Sequence, residues 1–156
     1  MKYKPAPPRP IVALPMSSRF QECVAMDLKM YNGRQILHLV DMCTRLSAGI
    51  FILNKQKETI IEAIFRVWIA VYGAPEKFLS DNGGEFANSE FLSFCEQFGI
   101  RVKTTAAESP WSNGIVERHN QTIARSMDKI IAETNCSSDL ALLCALNAKN
   151  SLMNVA

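Results

Sequence analysis

The sequence is poor in the residues on which zinc sites and disulfide frameworks depend. Its 156 residues include two histidines, His38 and His119, and five cysteines, none of which form a Cys-x-x-Cys pair. No zinc-ligand spacing is therefore present. The odd number of cysteines argues against a closed disulfide framework and favours a reducing environment inside the cell. Each histidine is predicted to serve ordinary packing or a surface contact.

Long apolar runs and a strong charge surplus are also missing. No run approaches the roughly 18 to 20 apolar residues that span a bilayer, and the Pro-rich start lacks a signal-peptide core, so we expect a soluble protein without a membrane partner or a secretory signal. The net charge is only +2, so a nucleic-acid partner has to be argued from local patches. With 48% apolar residues, the chain can form one domain with a sizeable core.

The chain divides into a short arm and a patterned domain. Residues 1–15 contain three basic residues and five prolines, and no acid occurs before Glu22. This composition favours an extended linker or arm, and a disordered tail is the alternative. The domain is predicted to cover residues 16–156.

An antiparallel meander is predicted for residues 23–53. Apolar strands are expected at 23–30, 35–41 and 46–53, and Asn32-Gly33 is a strong hairpin signal between the first two. Asp27 lies inside the first of these strands. Because a buried carboxylate is costly unless it is paired or bound to a metal, Asp27 needs a partner that its own strand does not provide.

Helical and strand patterns alternate after the meander. We predict a helix from Lys57 to Tyr72 with Trp68 in the core, a strand at 77–80, a helix capped by Asn88, and a strand at 101–105. The buried face of the Asn88 helix is predicted to contain Phe91, Phe94, Cys95 and Phe98. Helices at 115–133 and 139–152 follow. The predicted inward residues of the first helix are Val116, Ile123, Met127 and Ile130. Those of the second helix are Leu140, Leu143 and Leu146.

A loop precedes the helix at 115–133. Residues 106–114 combine small residues, proline and glycine, which predicts a mobile loop. Its distinctive residues are Ser109, Pro110, Trp111, Asn113 and Gly114. Trp111 is predicted to pack on a small apolar surface, and stacking on a substrate is the alternative.

Two further acids lie at the ends of predicted elements. Asp81 follows a short strand and begins an Asp-Asn-Gly-Gly turn, where glycine lets a ligand approach the backbone. Glu117 is predicted in the first turn of its helix, near free N–H groups that favour an ionised carboxylate. Both are placed to hold a cation, although each alone is also typical of an ordinary turn or a solvated helix.

These motifs together resemble the catalytic core of retroviral and LTR-retrotransposon integrases. The resemblance rests on Ala-Met-Asp-Leu around Asp27, Ser-Asp-Asn-Gly-Gly-Glu-Phe around Asp81, and Asn-Gly-Ile-Val-Glu-Arg-His-Asn around Glu117, with 35 residues between the last two acids. Ala-Glu-Ser-Pro-Trp-Ser-Asn-Gly and the basic, Pro-rich start are most similar to gypsy-type retroelement integrases. Three concordant motifs are far more specific than one.

The resemblance implies an α/β, ribonuclease-H-like fold with a five-stranded mixed sheet flanked by helices. It implies that Asp27, Asp81 and Glu117 are catalytic and bind Mg²⁺ or Mn²⁺, with two ions when DNA is bound, to catalyse 3′-end processing and strand transfer into double-stranded target DNA. Basic and amide residues of the following helix would contact DNA: Arg118, Asn120, Gln121, Arg125 and Lys129. A homo-oligomer and a nuclear location are implied as well. The family's zinc-binding and C-terminal basic domains do not lie in these residues, and its last core helix would continue past Ala156.

Three other interpretations remain open. The first is a domesticated core that keeps the fold and binds chromatin or a protein without catalysis. Loss of one of the three acids would favour this interpretation, but all three are present. A ribonuclease-H-like nuclease or resolvase would share the metal chemistry. An α/β domain with scattered surface acids is the least specific interpretation.

Overall fold

A five-stranded mixed sheet forms the centre of the fold. The computed structural model describes residues 17–81, 83–105 and 110–152, so the predicted arm at 1–15 and Ser109 lie outside the described residues. The strands are β1 (Val24–Tyr31), β2 (Arg34–Asp41), β3 (Ser47–Ile52), β4 (Lys77–Ser80) and β5 (Arg101–Thr104). Their order in the sheet is β3-β2-β1-β4-β5. The pairs β1–β2 and β2–β3 are antiparallel, whereas β1–β4 and β4–β5 are parallel, which confirms the predicted architecture.

The hairpin between β1 and β2 forms where the sequence predicts it. Asn32 and Gly33 both have positive φ, 46° and 80°. Two consecutive positive φ values match the twist of a two-residue hairpin, and Asn followed by Gly adopts them at low steric cost. The resulting register places His38 of β2 directly opposite Asp27 of β1.

The helices largely follow the predicted pattern. They are α1 (Lys57–Ile64), a π-helical segment (Phe65–Ile69), α2 (Ala70–Tyr72), α3 (Gly84–Ala87), α4 (Ser89–Gln97), α5 (Pro110–Thr134) and α6 (Ser138–Leu152). The predicted helix at 57–72 is therefore present but contains a π segment. Asn88 caps α4, and its side chain accepts the N–H of Phe91 at 2.8 Å. None of the helices in the described residues combines the length and apolar character that a membrane span needs.

Helices cover both faces of the sheet because side chains alternate along each strand. On the first face, Val24 and Met26 of β1 belong to one large apolar cluster with Trp68 and Phe91, both fully buried. The burial of Trp68 confirms its predicted place in the core. On the second face, α5 and α6 pack through two smaller clusters. Asp27 belongs to this second face, since it lies one residue from Met26.

The inward face of α6 differs from the prediction. Its buried residues are Ala141, Leu142, Ala145 and Leu146. Leu140 and Leu143, predicted to be inward, are 50% and 61% exposed. Residues 140–146 are apolar on all sides of the helix, so periodicity does not select a face. The small Ala141 and Ala145 side chains let α6 approach α5 closely, and tertiary packing therefore decides.

Two other predictions are also corrected. Phe98, predicted to be buried with the rest of its helix face, is 43% exposed. Helix α5 begins at Pro110 instead of residue 115, so the loop predicted for residues 110–114 is helical. Proline suits the first position of a helix because its fixed φ matches and its missing N–H is not needed there. The turn-forming character of the sequence around Asn113-Gly114 is overridden by the packing of the helix.

Candidate active site

Asp27 and Asp81 lie at the same level on neighbouring parallel strands. β1 and β4 pair through Ala25 and Leu79. Asp27, within β1, lies two residues after Ala25, and Asp81, directly after β4, lies two residues after Leu79. Adjacent strands are about 4.8 Å apart and side chains repeat with period two, so the equal offset brings the two carboxylates together on the second face of the sheet.

Glu117 reaches the same place from helix α5. Its neighbour Val116 is buried in an apolar cluster with Ala25 and Leu79, the residues through which β1 and β4 pair. Glu117 is the eighth residue of α5, so the prediction that it lies in the first turn was wrong. Since only the first four N–H groups of a helix lack partners, the helix terminus does not stabilise its charge directly. Packing of Val116 places Glu117 instead.

The three acids line one cavity of about 240 Å³. The other lining residues are Met26, Lys29, Thr105, Asn113, Val116 and Asn120. Asn113, a predicted loop residue, thus faces the cavity from α5, and Gly114 is exposed next to it. Lys29 was not predicted as a site residue. The available signal was strand alternation, which puts Lys29 on the same face as Asp27.

Asp27 is the most buried of the three carboxylates. Burial raises the pKa of its carboxyl group, and the negative charge of Asp81 raises it further. A hydrogen bond from Asn120 acts in the opposite direction and lowers this pKa. Asn120 Nδ2 donates to Asp27 Oδ2 at 2.6 Å, which supplies the partner that the sequence required for Asp27. Asp81 and Glu117 are exposed at the rim.

His38 is a site residue that the sequence analysis missed. It is 3% exposed rather than on the surface, and its Nδ1 is hydrogen-bonded to Asn120 Oδ1. Burial lowers the pKa of His38 to about 4, an effect that the charge of Lys149 reinforces and the bond to Asn120 opposes. The imidazole is therefore neutral at physiological pH. Its position two residues after Ile36, on the face that meets α5, was the only available signal.

The donor set suits a hard divalent cation. Mg²⁺ and Mn²⁺ prefer carboxylate oxygens, and three carboxylate residues line the cavity. Within the described residues, however, no three His, Cys, Asp or Glu side chains are close enough together to hold a metal ion. One oxygen of Asp81 accepts the N–H of Gly83 at 3.1 Å in its own turn. The residues thus fit such an ion in chemistry and location, and the side chains of Asp81 and Glu117 are exposed.

The predicted DNA contacts fall into two groups. Arg118, Gln121, Arg125 and Lys129 are exposed along the solvent side of α5. Asn120 is only 7% exposed, and both ends of its amide are occupied, by Asp27 and by His38. The structure therefore gives Asn120 a role inside the protein, and a DNA contact for any of the five residues stays a prediction. Trp111 lies in α5, and its side chain is outside the described part.

Sequence comparison assigns the chain to a family. Residues 51–132, slightly more than half of the chain, match the family model described as the TnsB C-terminal domain. The Pol polyprotein of transposon 412 from Drosophila melanogaster is 30% identical over 115 residues, which cover 73% of this chain and 9% of that protein. The Gag-Pro-Pol polyprotein of human T-cell leukemia virus 2 is 34% identical over 109 residues, which cover 68% of this chain and 8% of that protein.

Solved structures agree with these relatives. The HTLV-2 integrase catalytic core in complex with magnesium matches with a TM-score of 0.70 and 24% identity, covering 81% of this chain and 82% of that one. The chain belongs to the family described as the TnsB C-terminal domain. A simian T-cell lymphotropic virus intasome, solved with a PP2A regulatory subunit, matches with a TM-score of 0.73 and 25% identity, covering 81% of this chain and 47% of that one.

The solved structures show that the chain has the ribonuclease-H-like fold found in integrase catalytic cores. The chain spans less than a tenth of the length of the transposon 412 and human T-cell leukemia virus 2 polyproteins. The narrower likeness to gypsy-type integrases stays a prediction. So do the reaction, the metal and the partners of this chain.

Proposed function

We propose that this chain is the catalytic core of a DNA integrase that trims the 3′ ends of a retroelement's DNA and joins them to target DNA. The observation that carries the proposal is that Asp27, Asp81 and Glu117, from three separate elements, line one cavity. The family membership and the fold support the same chemistry. The magnesium bound to the HTLV-2 core supports Mg²⁺ or Mn²⁺ as the cofactor, with two ions expected when DNA is bound.

The three carboxylates have different tasks in this proposal. When bound between them, divalent cations stabilise the charge on the attacking and leaving oxygens of an in-line phosphoryl displacement. Asp27 is the fixed ligand, because Asn120 holds one of its oxygens. Asp81 and Glu117 are exposed and complete the site by side-chain rotation. The ammonium group of Lys29, which lines the same cavity, offers a positive charge to a DNA phosphate.

No side chain has to act as a nucleophile. In 3′-end processing, a water oxygen attacks a phosphorus atom near the DNA end, and the bond from that phosphorus to the 3′ oxygen of the preceding nucleotide breaks. In strand transfer, the 3′ hydroxyl so exposed attacks a phosphodiester of the target, and the target's own 3′ oxygen leaves. The proposed partners are therefore double-stranded element ends and target DNA.

The solvent side of α5 is the proposed DNA surface. Arg118, Arg125 and Lys129 present cations there, and Gln121 presents an amide. Such groups suit phosphate contacts, which position a duplex without selecting its sequence. The intasome match supports assembly on DNA as a homo-oligomer, and a nuclear location belongs to the same proposal.

The test compares two identical substitutions on helix α5. Glu117→Gln removes a proposed ligand, whereas Glu133→Gln changes an exposed acid sixteen residues further along the same helix. Mg²⁺ binding is titrated calorimetrically in the presence of a blunt-ended DNA duplex, and strand transfer is followed with Mn²⁺ and end-labelled DNA. We expect saturable binding and joined products in the unmodified chain and in Glu133→Gln, and loss of both in Glu117→Gln.

The folded state of both variants is checked by circular dichroism and thermal unfolding. Equal metal affinity and equal strand transfer in the two variants would exclude Glu117 from the metal site. Absence of metal binding by the unmodified chain on DNA would contradict the proposed function itself.

A further inference from the structure

A polar group fills the space between two apolar clusters on the α5 face of the sheet. In β1, Asp27 lies between Ala25 of one cluster and Tyr31 of the other. In α5, Asn120 likewise lies between Val116 and Ile123 of the same two clusters. His38 faces this space from β2, opposite Asp27. Because buried polar groups are costly unless they are hydrogen-bonded, the orientation of each group here has energetic consequences.

The chemistry of the three side chains sets the direction of their hydrogen bonds. An ionised Asp27 only accepts, so the amide nitrogen of Asn120 is the donor in the 2.6 Å contact between them. This orientation turns Asn120 Oδ1 towards His38. Since Oδ1 also only accepts, His38 has to donate from Nδ1. The neutral ring then carries its proton on Nδ1, and Nε2 is the unprotonated nitrogen.

The surroundings of Nε2 agree with this tautomer. His38 Nε2 is buried and has no hydrogen-bond partner among the described residues. A buried N–H group without an acceptor is rare and destabilising. Placing the proton on Nδ1 satisfies the donor and leaves only an acceptor nitrogen without a partner.

We propose that His38 is a positioning residue of the active site, which holds the Asn120 amide in the one orientation that pins Asp27. The expected effect on metal binding rests on the proposed function, whereas the hydrogen bonds that link His38, Asn120 and Asp27 do not depend on it. Without a donor at position 38, Asn120 Oδ1 becomes a buried acceptor without a partner, and the bond to Asp27 alone holds the amide in this orientation. The flipped amide would present its oxygen to the Asp27 carboxylate, and two acceptors would then face each other.

His38 is expected to affect metal affinity through Asn120, which holds the proposed metal ligand Asp27. Groups that orient a ligand typically change metal affinity or activity by about tenfold to a hundredfold when they are removed. His38→Leu removes the donor, whereas His38→Asn places an amide N–H near the position of Nδ1. His119→Leu is the matched control, because this half-buried histidine lines a different cavity with Arg118 and Lys149 on the other side of α5.

The first measurement is the tautomer of His38, by ¹⁵N NMR of the unmodified chain without metal. We expect a proton on Nδ1 at neutral pH, which exchanges slowly with solvent because it is buried and hydrogen-bonded to Asn120. A proton on Nε2 would overturn the proposal, whatever the metal data show. This measurement also decides the proposal if the unmodified chain binds no metal, an outcome that would contradict the proposed function alone.

The second measurement is Mg²⁺ affinity on the blunt-ended duplex for each variant, with thermal unfolding as the check on folding. We expect His38→Leu to weaken binding by about tenfold or more. His38→Asn is expected to stay within about threefold of the unmodified chain, and His119→Leu to match it. A general loss of packing would weaken His38→Leu and His119→Leu alike. Equal affinity of His38→Leu and the unmodified chain would overturn the positioning role.

Discussion

Acidification from about pH 7.5 to about pH 5 is expected to destabilise the fold by about 2 kcal/mol through His38 alone. Burial lowers the pKa of this imidazole from its ordinary 6.5 to about 4. Below pH 6.5 the unfolded chain binds a proton that the folded chain excludes. Stability from His38 is therefore fully present above pH 6.5 and is lost as the pH falls towards 4. Each pH unit within that window costs about 1.4 kcal/mol, and the interval from 6.5 to 5 gives about 2 kcal/mol.

Other groups contribute to the total pH dependence, so the effect of His38 has to be isolated. Burial and neighbouring cations also lower the pKa of His119, to about 3, which acts in the same direction. The raised pKa of Asp27 acts in the opposite direction, because its folded state binds a proton more readily than its unfolded state. Terms that do not depend on His38 cancel in the difference between the unmodified chain and His38→Leu, whereas the effect of the His38 charge on His119 and the hold of His38 on the Asn120 amide are removed together with the imidazole.

Denaturant unfolding at both pH values gives the required free energies. The loss of stability between about pH 7.5 and about pH 5 should be smaller in His38→Leu by about 2 kcal/mol. For a chain of this size, that difference corresponds to about 4 to 8 °C in Tm. His119→Leu, measured in parallel, reports the second histidine. The same pH dependence in His38→Leu and in the unmodified chain would refute the assignment of a buried, neutral His38.

Two substitutions, Met127→Ala and Tyr31→Phe, test the packing of the α5 face, and Met30→Ala is the exposed control. Met127→Ala should lower the free energy of unfolding by about 2 to 5 kcal/mol, because Met127 is fully buried. Met30→Ala, at a side chain that is 54% exposed, should change it by less than about 0.5 kcal/mol. Equal losses of stability in denaturant unfolding would contradict this packing. Tyr31→Phe should cost about 1 to 2 kcal/mol, because the Tyr31 hydroxyl donates to Asp128 at 2.6 Å. Burial, with Asp128 adding to it, raises the pKa of Tyr31 to about 12, so absorbance titration of the unmodified chain should show one phenolate forming well above pH 10 that the variant lacks.

The sequence predicted the elements whose signals are local. The β1–β2 hairpin depends on Asn32 and Gly33, and the start of α4 depends on Asn88, so each is determined within a few residues. The face of α6 is not determined locally. Leu140 and Leu143 are as apolar as Leu142 and Leu146, and only contact with α5 and with the sheet selects the buried pair. The start of α5 was misplaced for a related reason, because turn-forming residues were held in a helix by its packing.

The candidate site was predicted in its acids but not in its supporting groups. Asp27, Asp81 and Glu117 stand out in the sequence because each interrupts or ends an element, and the spacing of the last two matches a known family. Their convergence depends on the parallel pairing of β1 with β4, which no local pattern encodes. His38 and Asn120 are 82 residues apart, so their contact was not visible in the sequence. For His38 the sequence predicted only ordinary packing or a surface contact.

The site therefore combines one half-buried, hydrogen-bonded carboxylate with two exposed ones. Asp27 is half-buried and held by Asn120, which His38 contacts in turn, whereas Asp81, directly after β4, and Glu117, within α5, are exposed. Three fixed carboxylates at close range would repel one another and raise each other's pKa in the absence of a cation. Keeping two of them in solvent limits that cost in the folded chain. Under the proposed function, the free energy for bringing them together comes from the cations and the DNA, which couples assembly of the site to binding of its substrate.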